Sequence, residues 1–156
     1  MISYRQASIA DIPSICALGN EVNEIHHRVW PQIFAPAGEA ARDQAFWAKG
    51  IGAPEAETFV AERDDQVIGF VSVSMFQESG SLMQPMRYGR IGSVSVASEH
   101  RGKGVGRALM ARAEEWAAKH GAIDMRLHAW AFNERAIALY EEQGYAIRSH
   151  FLGKPL

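Results

Sequence analysis

The stretch SVSVASEHRGKGVGRALM, Ser93 to Met110, changes its period halfway along. Its first residues alternate as a β-strand does. Its last residues join an apolar stripe, Val105, Leu109, Ala113, Trp116 and Ala117, at helical spacing. Between the two stand Gly102, Gly104 and Gly106, with Arg101 and Lys103 among them. Glycine weakens regular structure, so three alternate glycines point to a loop that needs positive φ or a close backbone approach. Strand, glycine loop and helix make the plan of an anion site. The first helical turn presents unpaired N–H groups, and the helix dipole favours negative charge there. Arg101 and Lys103 add cationic reach, and a guanidinium can grip a phosphate with two hydrogen bonds.

The spacing argues against two familiar phosphate loops. A Walker loop needs G-x-x-x-x-G-K-[ST], and no such run occurs. A dinucleotide fingerprint needs G-x-G-x-x-G/A. Counted from Gly102 and Gly104 its third position falls on Arg107, and from Gly104 and Gly106 on Leu109. Asp124 stands at about the distance of a ribose-binding acid, but too little chain follows to build a dinucleotide domain.

Outward from this stretch, upstream, ISYRQAS alternates as a first strand, and Ser8 or Asp11 can cap a helix carrying Ile9, Ile12, Ile15, Cys16 and Leu18. Pro31 and Pro36 break any long helix through Glu21–Pro36. AGEAARDQAFWAKG reads as a second helix that stops at Gly50. ETFVAER and QVIGFVSVSMF are β-rich and flank Asp64-Asp65, which predicts a hairpin. Glu78–Arg87 is a polar loop, and GRIGSVSVAS is the next strand. Downstream, Gly121 ends the helix and AIDMRLHAW alternates as a strand. Asn133 caps the helix ERAIALYEEQ, which Gly144 stops, and YAIRSHFL reads as a last strand. The order β α α β β β α β α β predicts one domain over residues 1–156, a mixed sheet with helices on both faces.

The chain has 156 residues, 47% hydrophobic and 22% charged, with a net charge of −2 at pH 7. That balance speaks against a nucleic-acid binder held by phosphate neutralisation. Cys16 is the only cysteine, which excludes an intramolecular disulfide and a cysteine-rich metal site. The N-terminal residues show no secretory pattern, and no apolar run is long enough to span a bilayer. The expectation is a soluble cytoplasmic protein without membrane or nucleic-acid partners and without a metal.

Two motifs together resemble a known family. V-x-S-E-H-R-G-K-G-V-G-R-A-L looks like the acetyl-CoA pyrophosphate loop of the GNAT superfamily, whose pattern [QR]-x-x-G-x-[GA] is met by Arg101, Gly104 and Gly106. About thirty residues on, N-E-R-A-I-A-L-Y-E-E-Q-G-Y, Asn133 to Tyr145, resembles the family's N-x-x-A-x-x-x-Y-x-x-x-G-[FY]. The resemblance implies an α/β (α+β) fold with a mixed, mostly antiparallel central sheet, helices on both faces and a splayed pair of fourth and fifth strands. It implies an acetyl-CoA-dependent N-acetyltransferase, with acetyl-CoA as co-substrate and a small-molecule or peptide amine as acceptor. Val94, Ser95 and Val96 would line the strand that pairs with pantetheine. Arg101, Gly102, Lys103, Gly104, Val105, Gly106 and Arg107 would surround the pyrophosphate. Asn133 and Ala136 would meet the pantetheine arm, and Tyr140 would place its hydroxyl near the sulfur. Dimerisation is common in the resembled family.

Attack of an amine on a thioester needs a base for the ammonium, an oxyanion donor and a proton for the leaving thiolate. Tyr140 suits the last task, since a phenol near pKa ~10 stays protonated at neutral pH. The bland alternative is a tyrosine that packs an amphipathic helix on the sheet. A backbone N–H of Val94–Val96 would be the oxyanion donor, as the family suggests. Family members often carry an acid on the strand before the loop, where this chain has Gly92 and Ser93. The alternative base is His128, twelve residues before Tyr140, a spacing at which members that acetylate protein N-termini place a glutamate. Imidazoles titrate near neutral pH. An exposed strand histidine with no catalytic role is the competing reading, and water relays to Glu24 or Glu78 are a third. His26-His27 reads as a solvated or acceptor-lining pair, because no compact Cys/His cluster accompanies it. Two rival functions follow: a non-catalytic acyl-CoA sensor on the same fold, and a nucleotide-binding protein of another class.

Overall fold

The computed structural model describes residues 1–156. Its elements, in chain order, are β1 (Ser3–Gln6), α1 (Ile12–Val29), α2 (Ala40–Ala48), β2 (Ala56–Arg63), β3 (Gln66–Glu78), β4 (Met86–Val96), α3 (Val105–Lys119), β5 (Met125–Leu127) and α4 (Glu134–Glu142). The five strands form one sheet in the order β1-β2-β3-β4-β5. The first three pairings are antiparallel, and β5 joins β4 in parallel. This is the mixed, mostly antiparallel sheet that the motif resemblance implies.

The turns form where their chemistry allows. Asp64 and Asp65 both take positive φ, 51° and 60°, so β2 and β3 meet in the tight hairpin geometry whose twist matches the strands. Ser8 N–H donates to Asp11 Oδ2 at 2.7 Å, and Asp11 also receives Arg5 at 2.8 Å, which fixes the entry into α1. Pro13 sits at the start of α1, where a missing N–H costs nothing.

The sheet divides two apolar layers. On one face Phe59, Val71, Val73 and Ile91 pack against Val105, Leu109, Met110, Ala113 and Ala117 of α3. On the other, Val60 and Phe70 pack against Ile15 and Leu18 of α1, with Trp47 of α2 alongside. The second layer is the smaller, and α1 reaches across it to β4, where Ser95 Oγ donates to Leu18 O.

Pro31 ends the helix as its chemistry requires: α1 runs through His26-His27 to Val29, with its cap at Trp30. Two expectations need correction. The strand over AIDMRLHAW shrinks to Met125–Leu127, because only Gly89, Arg90 and Ile91 of β4 give it partners. The last strand, YAIRSHFL, does not form; its residues pair with no strand, and Phe151 and Leu152 are exposed. Alternation describes how a segment would sit in a sheet, but strand formation needs a free neighbouring edge, and β5 offers only three residues.

One contact ties this C-terminal segment down. Arg148 donates twice to Asp124, at 2.7 and 2.8 Å, while Arg126 donates to the same carboxylate at 3.0 Å. Hydrogen bonds from Arg148, then from Arg126, hold Asp124 down at about 2, below its ordinary 3.8. A depressed pKa gives stability that is complete above pH 3.8 and lost as the pH falls through about 2. Arg148 is 61% exposed, so solvent screens much of the pair. Asp124→Asn should therefore lower Tm at pH 7 by only about 2–4 °C. In a thermal-melt series from pH 5 to pH 2, the variant should lose less Tm than the wild type. Equal losses would remove Asp124 as a source of acid sensitivity. Asp124 is thereby used in structure and does not stand as a ribose acid.

Candidate active site

The glycine loop has the geometry of an anion cradle. Gly102 and Gly104 take φ of +74° and +81°, in the left-handed region that side chains resist. A Cβ built at either would meet nothing within 4 Å, so the glycines are required by conformation and the space beside them is open. Gly104 is the N-cap of α3, and its carbonyl accepts from Ala108 N–H at 3.0 Å. The N–H groups of Val105, Gly106 and Arg107 fall in the first turn, where a helix supplies no acceptor. No acidic residue stands in that turn to compete for them. These features fit a diphosphate, as coenzyme A carries.

The basic residues of the loop are partly engaged. Arg101 Nε donates to Val96 O at 2.8 Å, and its Nη2 lies 3.6 Å from Glu21. Lys103 donates to Glu99 O at 3.1 Å. Arg107 lies 3.6 Å from Glu142 on α4. All three side chains are exposed and can turn to an anion.

The strand before the loop has a free edge. Pairing of β4 with β5 ends at Ile91–Leu127, so Gly92–Val96 bond only to β3. Ser93 N–H donates to Ser72 Oγ and Ala97 N–H to Ile68 O, both toward β3. By the alternation of a strand, the N–H groups of Val94 and Val96 point to the open side. Arg101 already takes the carbonyl of Val96. Val94 therefore presents an unpaired donor and acceptor in the gap where β4 and β5 splay apart. The side chain of Ser95 turns into the protein and donates to Leu18 O at 3.3 Å, and by the same alternation its backbone faces β3, so Ser95 does not line the gap.

The same strand explains the missing acid. Gly92 is the extra residue of a β-bulge, since Ser72 pairs with Ser93 and Val73 with Ile91. A Cβ at Gly92 would lie 2.8 Å from Ser72 Oγ. A carboxylate side chain at position 92 would have to displace Ser72, whose hydroxyl satisfies the bulge amide.

α4 carries two further candidate residues. Asn133 is its N-cap, and its side-chain oxygen accepts from Ala136 N–H at 3.4 Å, a long bond that leaves the amide group available. The Tyr140 ring packs on the main apolar cluster and meets Tyr145 edge-on, centroids 6.2 Å apart. Burial raises the pKa of Tyr140, with no charge or hydrogen bond contributing. Tyr145 differs: its hydroxyl donates to Glu114 Oε1 at 3.1 Å and is committed to structure.

His128 follows β5 and is exposed. Its Nδ1 lies 2.9 Å from Arg90 Nη2. A guanidinium only donates, so Nδ1 is the acceptor and Nε2 carries the proton. This contact was not legible in the sequence; the signal available was that β4 and β5 residues of one parity share a face. Glu78 is held by Arg126 at 3.2 Å, and Glu24 is exposed, 3.5 Å from Arg28. His26 and His27 turn to different carbonyls, those of Val22 and Phe34. His26, Phe34, Trp130 and Phe132 pack edge-on, centroids 4.8–5.3 Å apart, and join α1, the following loop and the β5–α4 loop.

Comparison with known proteins agrees with this geometry. The family model described as "Acetyltransferase (GNAT) family" matches residues 20–145. The chain is 26% identical over 144 residues to the uncharacterized N-acetyltransferase YhfO of Bacillus subtilis, covering 92% of this chain and 89% of that one. Three other curated acetyltransferases are 31–36% identical over 93–98 residues, and the chain spans only 40–60% of their length. Among solved structures, a mutant of the BH1408 protein from Bacillus halodurans superposes with a TM-score of 0.87 at 21% identity, 99% of each chain covered. Aminoglycoside N-acetyltransferase AAC(6')-Iy, in complex with CoA, superposes with a TM-score of 0.75 at 16% identity, covering all of this chain and 95% of that one. At such identities the two structures speak to the fold.

Proposed function

The chain belongs to the acetyltransferase (GNAT) family, and on that premise we propose that it transfers the acetyl group of acetyl-CoA directly to a primary amine in a ternary complex. The observation that carries this reading is the free β4 edge running into the glycine cradle. Together they give one continuous track for a pantetheine arm and its diphosphate. Acetyl-CoA supplies the activated acetyl group; the chain's residues hold and orient it. Gly102–Gly106 and the first-turn amides of α3 take the diphosphate, with Arg101, Lys103 and Arg107 adding charge. Val94 and Val96 pair with the pantetheine amides, and Asn133 and Ala136 meet the arm from α4. The Val94 N–H stabilises negative charge on the thioester oxygen, because a fixed donor at a developing charge needs no reorganisation.

Tyr140 gives its proton to the leaving thiolate. His128 is the base for the acceptor ammonium, at Nδ1, once Arg90 releases it. His128→Ala should lower kcat about 100-fold at neutral pH and remove the acid limb of the pH–rate profile. A profile of unchanged shape would remove His128 as base and leave water relays to Glu24 or Glu78.

A covalent route through Cys16 is disfavoured, since that thiol is buried in α1 and burial pushes its pKa up. Initial rates with acetyl-CoA and amine both varied test the ternary complex. Intersecting double-reciprocal lines are expected, and parallel lines would indicate an acetyl-enzyme instead.

A further inference from the structure

Four arginines are half-buried: Arg5, Arg87, Arg90 and Arg126. Three of them hold carboxylates: Arg5 bonds Asp11 and Glu62, Arg87 bonds Glu55, and Arg126 bonds Asp124 and Glu78. Arg90 holds none. Its one side-chain partner is the His128 imidazole, a neutral acceptor for one of five N–H donors. Its register partner across β4–β5 is Arg126, a second cation, which already holds the nearby carboxylates of Asp124 and Glu78. Four donors of this guanidinium have no protein acceptor and are open to a ligand.

Its position says which ligand. Gly89 and Ile91 face α3, so Arg90 projects from the opposite face of the sheet, the one that carries α1. It lies two residues before the Gly92 bulge, roughly 7 Å along the strand from where the free edge begins. A group bound there and an amine in the splayed gap can belong to one small molecule. We propose that the acceptor is an amine that also carries a carboxylate, as an amino acid does, and that Arg90 binds that carboxylate bidentately. This rests on the acetyl-transfer reading. Drawing Arg90 onto a carboxylate also releases His128 Nδ1, so the acceptor frees the base as it binds.

The test compares free amino acids with their carboxamides, in wild type, Arg90→Gln and Arg90→Lys. Thiol release from acetyl-CoA gives turnover, and calorimetry on the CoA-saturated protein gives binding. Wild type should favour acids over amides by about 10- to 100-fold in kcat/KM. In R90Q that ratio should fall to about 1, and in R90K to an intermediate value, because an ammonium keeps the charge without the fork. Unchanged melting and CoA affinity in the variants exclude misfolding. Amides turned over as well as acids by wild type would overturn the carboxylate anchor while acetyl transfer stands. Arg90-dependent binding of acids without thiol release would keep the anchor and overturn acetyl transfer. Acids neither bound nor turned over by wild type would overturn the anchor.

Discussion

Tyr140→Phe is expected to lower kcat by about 100-fold or more, the usual contribution of a positioned general acid. The ring makes the apolar contacts on the main cluster, and phenylalanine keeps the ring. The melting temperature should therefore stay within about 2 °C, since no protein hydrogen bond to the hydroxyl contributes to its pKa. The pH profile distinguishes an acid from a packing residue. Burial raises the Tyr140 pKa, so the phenol keeps its proton through neutral pH and loses it only as the pH climbs through that raised value. The wild-type kcat should thus fall only at alkaline pH, beyond the range in which an ordinary tyrosine titrates, and that limb should be absent in Y140F. A kcat within threefold of wild type would return Tyr140 to a packing role.

Gly104→Val is the second large effect, and it acts on the cofactor. The residue has φ +81° with open space around it, so the penalty is conformational and not steric crowding. A left-handed conformation costs an ordinary residue about 1–2 kcal/mol, and a β-branched one more. The loop can escape that strain by moving, which turns the α3 amides away from the diphosphate. The Kd for CoA should rise about 100-fold by calorimetry, the product of strain and lost N–H contacts. Free CoA and its dephosphorylated pantetheine fragment separate the causes. The fragment lacks the diphosphate, so its weaker binding should change little in G104V. Equal losses for both would mean that the variant damages β4 as well.

The sequence made some parts of the site legible and hid others for definite reasons. Local chemistry is legible: positive-φ glycines, the Asn133 cap and the Asp64-Asp65 turn depend on a few adjacent residues. The α3 stripe was legible because one face of a helix repeats in sequence. The last strand was misread because YAIRSHFL carries only the alternation, while its pairing depends on an edge elsewhere. The length of α1 was hidden because Pro31 marks a stop but not how much helix precedes it. Gly92 stands where an acid is expected; in the fold it is a bulge residue whose side chain would have to displace the Ser72 hydroxyl. The Arg90–His128 contact joins residues 38 apart in the chain, across a parallel pairing no local pattern announces.

The central claim is that this chain moves an acetyl group from acetyl-CoA to an amine. Free-thiol release across a panel of primary amines, with mass detection of the product, tests it most directly. The account predicts thiol release that depends on the amine, matched mole for mole by N-acetylated product. Tight binding of acetyl-CoA with no amine-dependent thiol release across the panel would contradict it, and would identify the protein as an acyl-CoA sensor on an acetyltransferase fold.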